Sequence, residues 1–192
     1  MREAVLERKT NETAVKIQLN LDEKDAGEIQ TGIGFLDHML ELFAFRAGIA
    51  LNVSCRGDLV VDGHHTAEDV GITLGQAIAI ALGDKSGINR YGHAAIPMDE
   101  SLADCVLDIS GRPFLVFHAD FPCERVGAFG TELVEEFFRA LAQHAGITLH
   151  IRLLYGKNAH HMIEAIFKAF GCAFAQAARL AGDGVPSTKG VL

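Results

Sequence analysis

Hydrophobic and polar residues alternate along several short stretches of the chain, which is the pattern of strands that are buried on one face. In the first part of the chain the pattern predicts strands over 2–8, 13–21, 27–31 and 49–56. Further on it predicts strands over 94–98, 102–109, 114–118 and 147–154.

Four longer segments instead place apolar residues three and four positions apart, as amphipathic helices do. They predict helices over 35–47, 64–82, 131–145 and 160–180. In the first of them Leu36, Met39, Leu40 and Phe43 form one apolar face. Glycines follow the first and third helices, where they can adopt the left-handed conformation that ends a helix.

The predicted elements occur in the same order twice. Residues 47–53 align with 145–151, and residues 74–77 align with 170–173. We therefore predict an α+β fold made by tandem duplication of a strand-strand-strand-helix-strand-helix half, with two sheets each covered by helices. The halves are expected to be residues 1–88 and 89–192, which together form one compact catalytic unit.

Composition narrows the possible functions. The chain has 192 residues, of which 49% are hydrophobic and 22% charged, as in ordinary globular proteins. Its net charge of −8 argues against a general nucleic-acid binder or a binder of anionic membranes. The four cysteines are not spaced like metal ligands or a redox pair. The first residues lack the apolar segment of a signal peptide, and the longest apolar run is too short to cross a bilayer. We expect a cytoplasmic protein.

The most informative motif is His-His-x-x-Glu, which occurs at 64–68 and again at 160–164. Residues four apart share a face of a helix, whereas adjacent residues diverge by about 100°. Two motifs that face each other therefore predict two reciprocal metal sites. One consists of His64, Glu68 and His161, and the other of His160, Glu164 and His65. Imidazole and carboxylate ligands without a thiolate suit manganese, iron or zinc.

The duplication points to further candidate residues. His38 aligns with Glu136 on the equivalent helix, so each site gains a potential fourth ligand. Glu12 aligns with Glu100, and both are acid–base candidates, although the residues alone favour the interpretation that each is an ordinary exposed acid. Four basic residues could bind a phosphate or be surface charges, namely Arg90, Arg112, Lys168 and Lys189.

Nine motifs together resemble the imidazoleglycerol-phosphate dehydratase family, and the resemblance covers essentially the whole chain. They are RKTNET at 8–13, FLDHML at 35–40, HHTAED at 64–69, NRYG at 89–92, PMDE at 97–100, DISGRP at 108–113, NAHH at 158–161, FKAF at 167–170 and PSTKG at 186–190. The resemblance implies dehydration of imidazole glycerol phosphate to imidazole acetol phosphate in histidine biosynthesis. It also implies two manganese ions and a 24-subunit homo-oligomer with active sites between subunits. The phosphatase domain to which some relatives are fused is not expected in this chain.

The resemblance also implies roles for individual residues. One metal takes His38, His65, His160 and Glu164, and the other takes His64, Glu68, His161 and, in place of the histidine of familiar members, Glu136. The catalytic residues are Glu12 and Glu164, and the substrate-binding residues are Glu12, Arg90, Asp99, Arg112, Lys168, Ser187, Thr188 and Lys189. The reaction is expected to pass through a metal-stabilised imidazolate and a diazafulvene-like intermediate.

Two other functions are compatible with the same motifs. A dinuclear hydrolase of phosphate esters would use the metals to activate water and would release inorganic phosphate. A non-catalytic metal-storage or assembly protein would turn over no imidazole substrate and would leave Glu12 and the basic residues without a role. The dehydratase is the preferred hypothesis.

Overall fold

A computed structural model of the chain describes residues 1–25, 27–190 and 192. The first half of the chain forms β1 (Glu3–Lys9), β2 (Thr13–Asn20), β3 (Ile29–Gln30), α1 (Gly34–Ala47), β4 (Ala50–Gly57) and α2 (His64–Leu82). The rest forms β5 (Tyr91–Met98), β6 (Ser101–Asp108), β7 (Phe114–His118), β8 (Arg125–Val126), β9 (Phe129–Gly130), α3 (Leu133–Ala145), β10 (Thr148–Tyr155) and α4 (Ala159–Ala178).

The strands form two four-stranded sheets of the same topology. Their orders are β1-β2-β4-β3 and β5-β6-β10-β7. In each sheet the last pair, β3 with β4 and β7 with β10, is parallel and the other pairs are antiparallel. A parallel pair needs a crossover, which α1 and α3 supply. The predicted α+β duplication is confirmed, and the division into units at residue 88 stays a prediction.

The helices pair across the two halves. Helix α2 packs on β1, β2 and β4 and also against α3, while α4 packs on β5, β6 and β10 and also against α1. Two glycines lie at these helix crossings. A Cβ on Gly75 would be 2.6 Å from the carbonyl oxygen of Leu141, and one on Gly171 would be 2.9 Å from that of Phe43. The aligned glycines therefore let each helix pair approach closely.

Aromatic side chains fill the space between the helices. Phe43 stacks on Phe170 with ring centroids 5.0 Å apart, and Phe138 lies 4.8 Å from Phe167. All four are at most 1% exposed. Burial of each such side chain stabilises the fold by roughly 1.5–3 kcal/mol relative to exposure. This core fixes α1 against α4, and hence the residues at their ends.

Two features differ from the predicted elements. The structure has a small hairpin, β8 with β9, between β7 and α3, where the sequence predicted no strand. Helix α3 begins at Leu133 and α4 ends at Ala178, since Arg179 has extended backbone dihedral angles. None of the helices in the described part of the chain has the length and hydrophobicity of a membrane-spanning helix.

Candidate metal centre

Three of the predicted ligands converge at the crossing of α1 and α4. His38 comes from α1, and His160 and Glu164 come from the first turns of α4. Their ligand atoms all lie within 4.8 Å of one another. Glu164 Oε2 is 3.3 Å from His160 Nε2 and 3.6 Å from His38 Nε2. Two imidazoles and a carboxylate at this spacing could hold a metal ion.

The N-terminus of helix α4 is held in a conformation that orients His160 and Glu164. Asn158 is its N-cap, and the side-chain oxygen of Asn158 accepts a hydrogen bond from the N–H of His160 at 2.9 Å. The ring of Phe35 meets the ring of His160 edge to face, with centroids 5.1 Å apart. The cap fixes the backbone of the motif, and the aromatic contact fixes the imidazole of His160.

Glu164 is buried, and its charge is balanced by a neighbouring lysine. Burial raises the pKa of Glu164, but the ammonium group of Lys168, together with His38 and His160, outweighs it and lowers the pKa below its ordinary value. Glu164 Oε1 pairs with Lys168 Nζ, so Oε2 faces the two imidazoles. The carboxylate is therefore anionic at neutral pH, as a metal ligand must be.

The histidines of the first motif are arranged differently. His65 Nδ1 lies 3.1 Å from both carboxylate oxygens of Asp58, and this hydrogen bond raises the pKa of His65. Its Nε2 is 3.7 Å from Glu12 Oε1. The ring of His64 is perpendicular to that of His65, with centroids 6.2 Å apart. The adjacent histidines thus diverge, as predicted, and His65 faces a second carboxylate.

His161 repeats this arrangement in the second half. Its Nδ1 lies 2.8 Å from Glu100 Oε2, and this hydrogen bond raises the pKa of His161 and holds the pKa of Glu100 well below its usual range. Glu100 Oε1 also accepts hydrogen bonds from the backbone N–H groups of Lys157 and Asn158. His161 Nε2 is 3.8 Å from Asp99. The equivalence of Glu12 and Glu100 is visible here, since each faces the second histidine of a motif.

The predicted ligands of the other ion are not brought together in the same way. Within the part of the chain that the structure describes, His38, His160 and Glu164 are the one group of three or more potential ligands this close. His64 and Glu68 lie at the start of α2, while Glu136 lies on the adjacent α3. Glu136 Oε2 is 3.6 Å from Arg139 Nε. His65 and His161 lie outside the three-residue cluster.

Several of the predicted phosphate-binding residues are neighbours. Arg90 pairs with Asp108 through two hydrogen bonds, of 2.7 Å and 3.1 Å, and Arg112 reaches the same carboxylate at 3.3 Å. Arg90 Nη1 also donates to the carbonyl oxygen of Pro186 at 3.0 Å, next to Ser187. The structure therefore places Arg90 beside the segment 187–189, and Arg112 is joined to Arg90 through Asp108.

Sequence reasoning missed two carboxylates that organise these groups. Asp58 orients His65, and Asp108 joins Arg90 to Arg112. Asp58 precedes the first motif in a loop that has no counterpart of the same length in the second half, so the repeat could not indicate it. Asp108 lies inside the DISGRP motif, and its acidic side chain four residues before Arg112 was the available signal.

Fold and cluster together define a duplicated α+β protein with a histidine–carboxylate cluster suited to a divalent ion. The profile of the family described as "IGPD: Imidazoleglycerol-phosphate dehydratase" matches residues 31–174. The chain is 57% identical over 191 residues to the imidazoleglycerol-phosphate dehydratase of an Exiguobacterium strain, covering 99% of this chain and 98% of the relative. It is 58% identical over 195 residues to that of Heliobacterium modesticaldum, covering all of both chains.

Solved structures agree with the sequence relatives. The crystal structure of imidazoleglycerol-phosphate dehydratase from Staphylococcus aureus is similar with a TM-score of 0.84 at 47% identity, covering 94% of this chain and 99% of that one. The Pyrococcus furiosus enzyme in complex with (S)-C348 has a TM-score of 0.85 at 38% identity, covering 97% of this chain and all of that one. The chain belongs to the imidazoleglycerol-phosphate dehydratase family. It is a lyase of histidine biosynthesis, which confirms the resemblance.

Proposed function

We propose that this enzyme dehydrates imidazole glycerol phosphate to imidazole acetol phosphate by a metal-dependent route. Membership of the family supplies the reaction. The observation that supports metal dependence is the convergence of His38, His160 and Glu164, whose ligand atoms lie within 4.8 Å of one another. The donor set of two imidazoles and an anionic carboxylate fits manganese, iron or zinc, and we assign two Mn²⁺ ions to each active site.

The pseudo-symmetry of the fold supports the second ion. His38 on α1 lies beside His160 and Glu164 of α4, and Glu136 lies on α3, which packs against the helix α2 that carries the His64 motif. Each helix pair thus carries three of the four ligands proposed for one ion. A carboxylate in place of an imidazole keeps the ligand type within the range that manganese accepts.

The remaining ligand of each ion is the second histidine of a motif. His65 and His161 diverge from their neighbours, since adjacent helical residues point about 100° apart. Each faces carboxylates of its own half, His65 at Asp58 and His161 at Glu100. We propose that they complete the sites of neighbouring copies, in a homo-oligomer of 24 subunits with active sites between subunits.

The residues of this chain have distinct tasks in the dehydration. Bound ions supply Lewis-acid stabilisation of the imidazole ring. Glu12, whose side chain is 52% exposed and lies 3.7 Å from His65 Nε2, takes the proton from the second carbon of the side chain, next to the ring-attached carbon. The hydroxyl of the ring-attached carbon leaves as water, the electron pair of the broken C–H bond forms the double bond of an enol, and the enol gains a proton at the ring-attached carbon to give the keto product. Glu164 holds its charge beside the imidazoles throughout, through its pairing with Lys168.

The phosphate group is proposed to lie at the Arg90 and Arg112 pair. Their guanidinium groups share Asp108, and that of Arg90 also contacts Pro186, so several donors can converge on one phosphate. The other substrate-binding residues are proposed to be Asp99, Lys168, Ser187, Thr188 and Lys189. A phosphate held here is kept apart from the reacting carbon atoms, which gives orientation without taking part in the chemistry.

The thiols fit a reducing environment. All four cysteines are free. Burial raises the pKa of the Cys105 thiol and, with the charge of Asp69, raises the pKa of Cys55 to about 11. Thiols that stay protonated react slowly. We propose a cytoplasmic location on this basis and on that of the biosynthetic role.

The test is the product of turnover. With Mn²⁺ and imidazole glycerol phosphate, the assembled enzyme should form a keto product that retains its phosphate. Release of inorganic phosphate would support the hydrolase, and no turnover would support the storage protein. Glu12→Gln should retain metal and substrate binding and lose about 10²- to 10⁴-fold in kcat, the usual contribution of an acid–base group. Glu7→Gln, an exposed glutamate paired with Lys16, is the control and should be fully active.

A further inference from the structure

A buried carboxylate fastens the turn that carries Glu12 to helix α2. Asp69 is 5% exposed and directly follows Glu68. One oxygen of Asp69 accepts a hydrogen bond from the Thr13 hydroxyl, and the other lies 2.6 Å from Arg8 Nη1. Arg8 is near the end of β1 and Thr13 opens β2. One side chain therefore holds both ends of the β1–β2 turn.

The turn itself is stiff. The hydroxyl of Thr10 accepts hydrogen bonds from the N–H groups of Glu12 at 3.1 Å and Thr13 at 3.0 Å. The N–H of Thr10 donates to the carbonyl oxygen of Thr13 at 2.9 Å. Because these bonds tie Glu12 and Thr13 to the same hydroxyl, any movement of Thr13 carries Glu12 with it.

The position of Asp69 on its helix directs the turn towards the site. Asp69 follows His65 by four residues, so both side chains lie on the same face of α2. The turn that Asp69 holds is thereby placed next to His65, and Glu12 Oε1 lies 3.7 Å from His65 Nε2. The four-residue spacing of His65 and Asp69 and the attachment of the turn to Asp69 together place the proposed acid–base group near a proposed ligand.

The second half of the chain holds its equivalent turn by other means. The residue that aligns with Asp69 is Ala165, which has no carboxylate. There Glu100 fixes the turn with its own side chain, through His161 and the two N–H groups that precede α4. Glu100 is therefore fully engaged. In the first half Asp69 provides the attachment, which leaves the carboxylate of Glu12 available for chemistry.

We propose that Asp69 is a positioning residue for the dehydration, acting through Thr13 and Arg8 to keep Glu12 in register with His65. The proposal rests on the proposed role of Glu12 as the acid–base group. Asp69 contacts the turn through Thr13 and Arg8, so loss of these contacts should lower kcat and leave KM nearly unchanged. A misplacement of about 1 Å in a reacting group can cost on the order of 10²-fold in rate.

The test compares Thr13→Val with Thr13→Ser in the assembled, manganese-loaded enzyme. Valine keeps the shape and strand preference of threonine but removes the hydroxyl that Asp69 binds, whereas serine keeps it. We expect Thr13→Val to lose about 10- to 100-fold in kcat with KM and metal content within about twofold, and Thr13→Ser to retain most of kcat. Thr73→Val is the matched control, because the buried Thr73 hydroxyl donates a hydrogen bond to a backbone carbonyl of its own helix, Asp69 O. It should leave kcat unchanged.

A double-mutant cycle separates positioning from general damage. In a Glu12→Gln background, Thr13→Val should cause no further loss of kcat, because the group it positions no longer acts. An unchanged kcat in Thr13→Val, or an equal loss in both backgrounds, would overturn the proposal. A fully active Glu12→Gln enzyme would overturn the role of Glu12 and this proposal together. If Thr13→Val does not assemble, Arg8→Met alters the more exposed partner of Asp69 and gives the same comparison.

Discussion

A side chain at Gly171 should destabilise the crossing of α1 and α4. A Cβ on Gly171 would lie 2.8 Å from Arg46 Cβ, 2.9 Å from the carbonyl oxygen of Phe43 and 3.3 Å from the N of Ala47. Two of the three are backbone atoms of α1, so no side-chain rotation can relieve the contact. Gly171→Ala must push α1 away from α4, and α1 carries His38 at its other end.

The size of the effect follows from these distances. Restoring ordinary contacts of about 3.4 Å or more requires the helices to separate by roughly half an ångström, and overpacking of this kind costs about 1–3 kcal/mol. Because alanine is about 1 kcal/mol more favourable than glycine inside a helix, the substitution offsets about 1 kcal/mol of this cost. The net loss is about 1 kcal/mol, which corresponds to about 2–4 °C in Tm for a chain of this length.

Thermal unfolding at matched protein and metal concentrations measures this shift. Gly34→Ala is the control, because a Cβ there meets no atom within 4 Å and Tm should stay the same or rise. Gly75→Ala should reproduce the loss at the α2–α3 crossing. Manganese titration should show weaker binding at the His38 cluster for Gly171→Ala than for Gly75→Ala. A Gly171→Ala enzyme that is as stable as the wild type would refute the close-packed crossing.

Two further variants test other parts of the structure. Burial raises the pKa of Asp104, but the contacts with Arg152 and His93 outweigh burial and lower this pKa below 3.8. The stability that these two contacts confer is therefore fully present above pH 3.8. It is lost as the pH falls through the lowered pKa of Asp104. Asp104→Asn should therefore lower the free energy of unfolding by about 1 kcal/mol at pH 7. In denaturant titrations, the difference in this free energy between the variant and the wild type should shrink below pH 3.8. A difference that stays constant with pH would contradict the pairing. Glu136→Ala should lower the manganese retained per chain, whereas Arg139→Ala, which removes the present partner of Glu136, should not; equal metal content in both variants would exclude Glu136 as a ligand.

The sequence predicted the elements well wherever a single face is buried. Leu36, Met39, Leu40 and Phe43 are all fully buried, as their spacing in the first helix indicated. Internal alignment of the two halves then predicted the common topology of the sheets. The β8–β9 hairpin escaped prediction because strands of two residues are too short to show a hydrophobic period.

The site was predictable in its residue types and less so in its geometry. Helix periodicity placed His160 and Glu164 on one face, and the structure brings His38 to them. That third contact depends on α1 pairing with α4 across the two halves, which is a tertiary choice that no local pattern encodes. The different surroundings of Glu12 and Glu100 were equally hidden, since the alignment pairs them and only the folded chain shows that Glu100 is fully engaged.

The most direct test of the account is the number of ions that the enzyme holds while it is active. After equilibrium with manganese, elemental analysis should give two ions per chain, and removing them with a chelator should abolish formation of the keto product until manganese is restored. A preparation free of transition ions that still dehydrates imidazole glycerol phosphate at the full rate would contradict the metal-dependent mechanism.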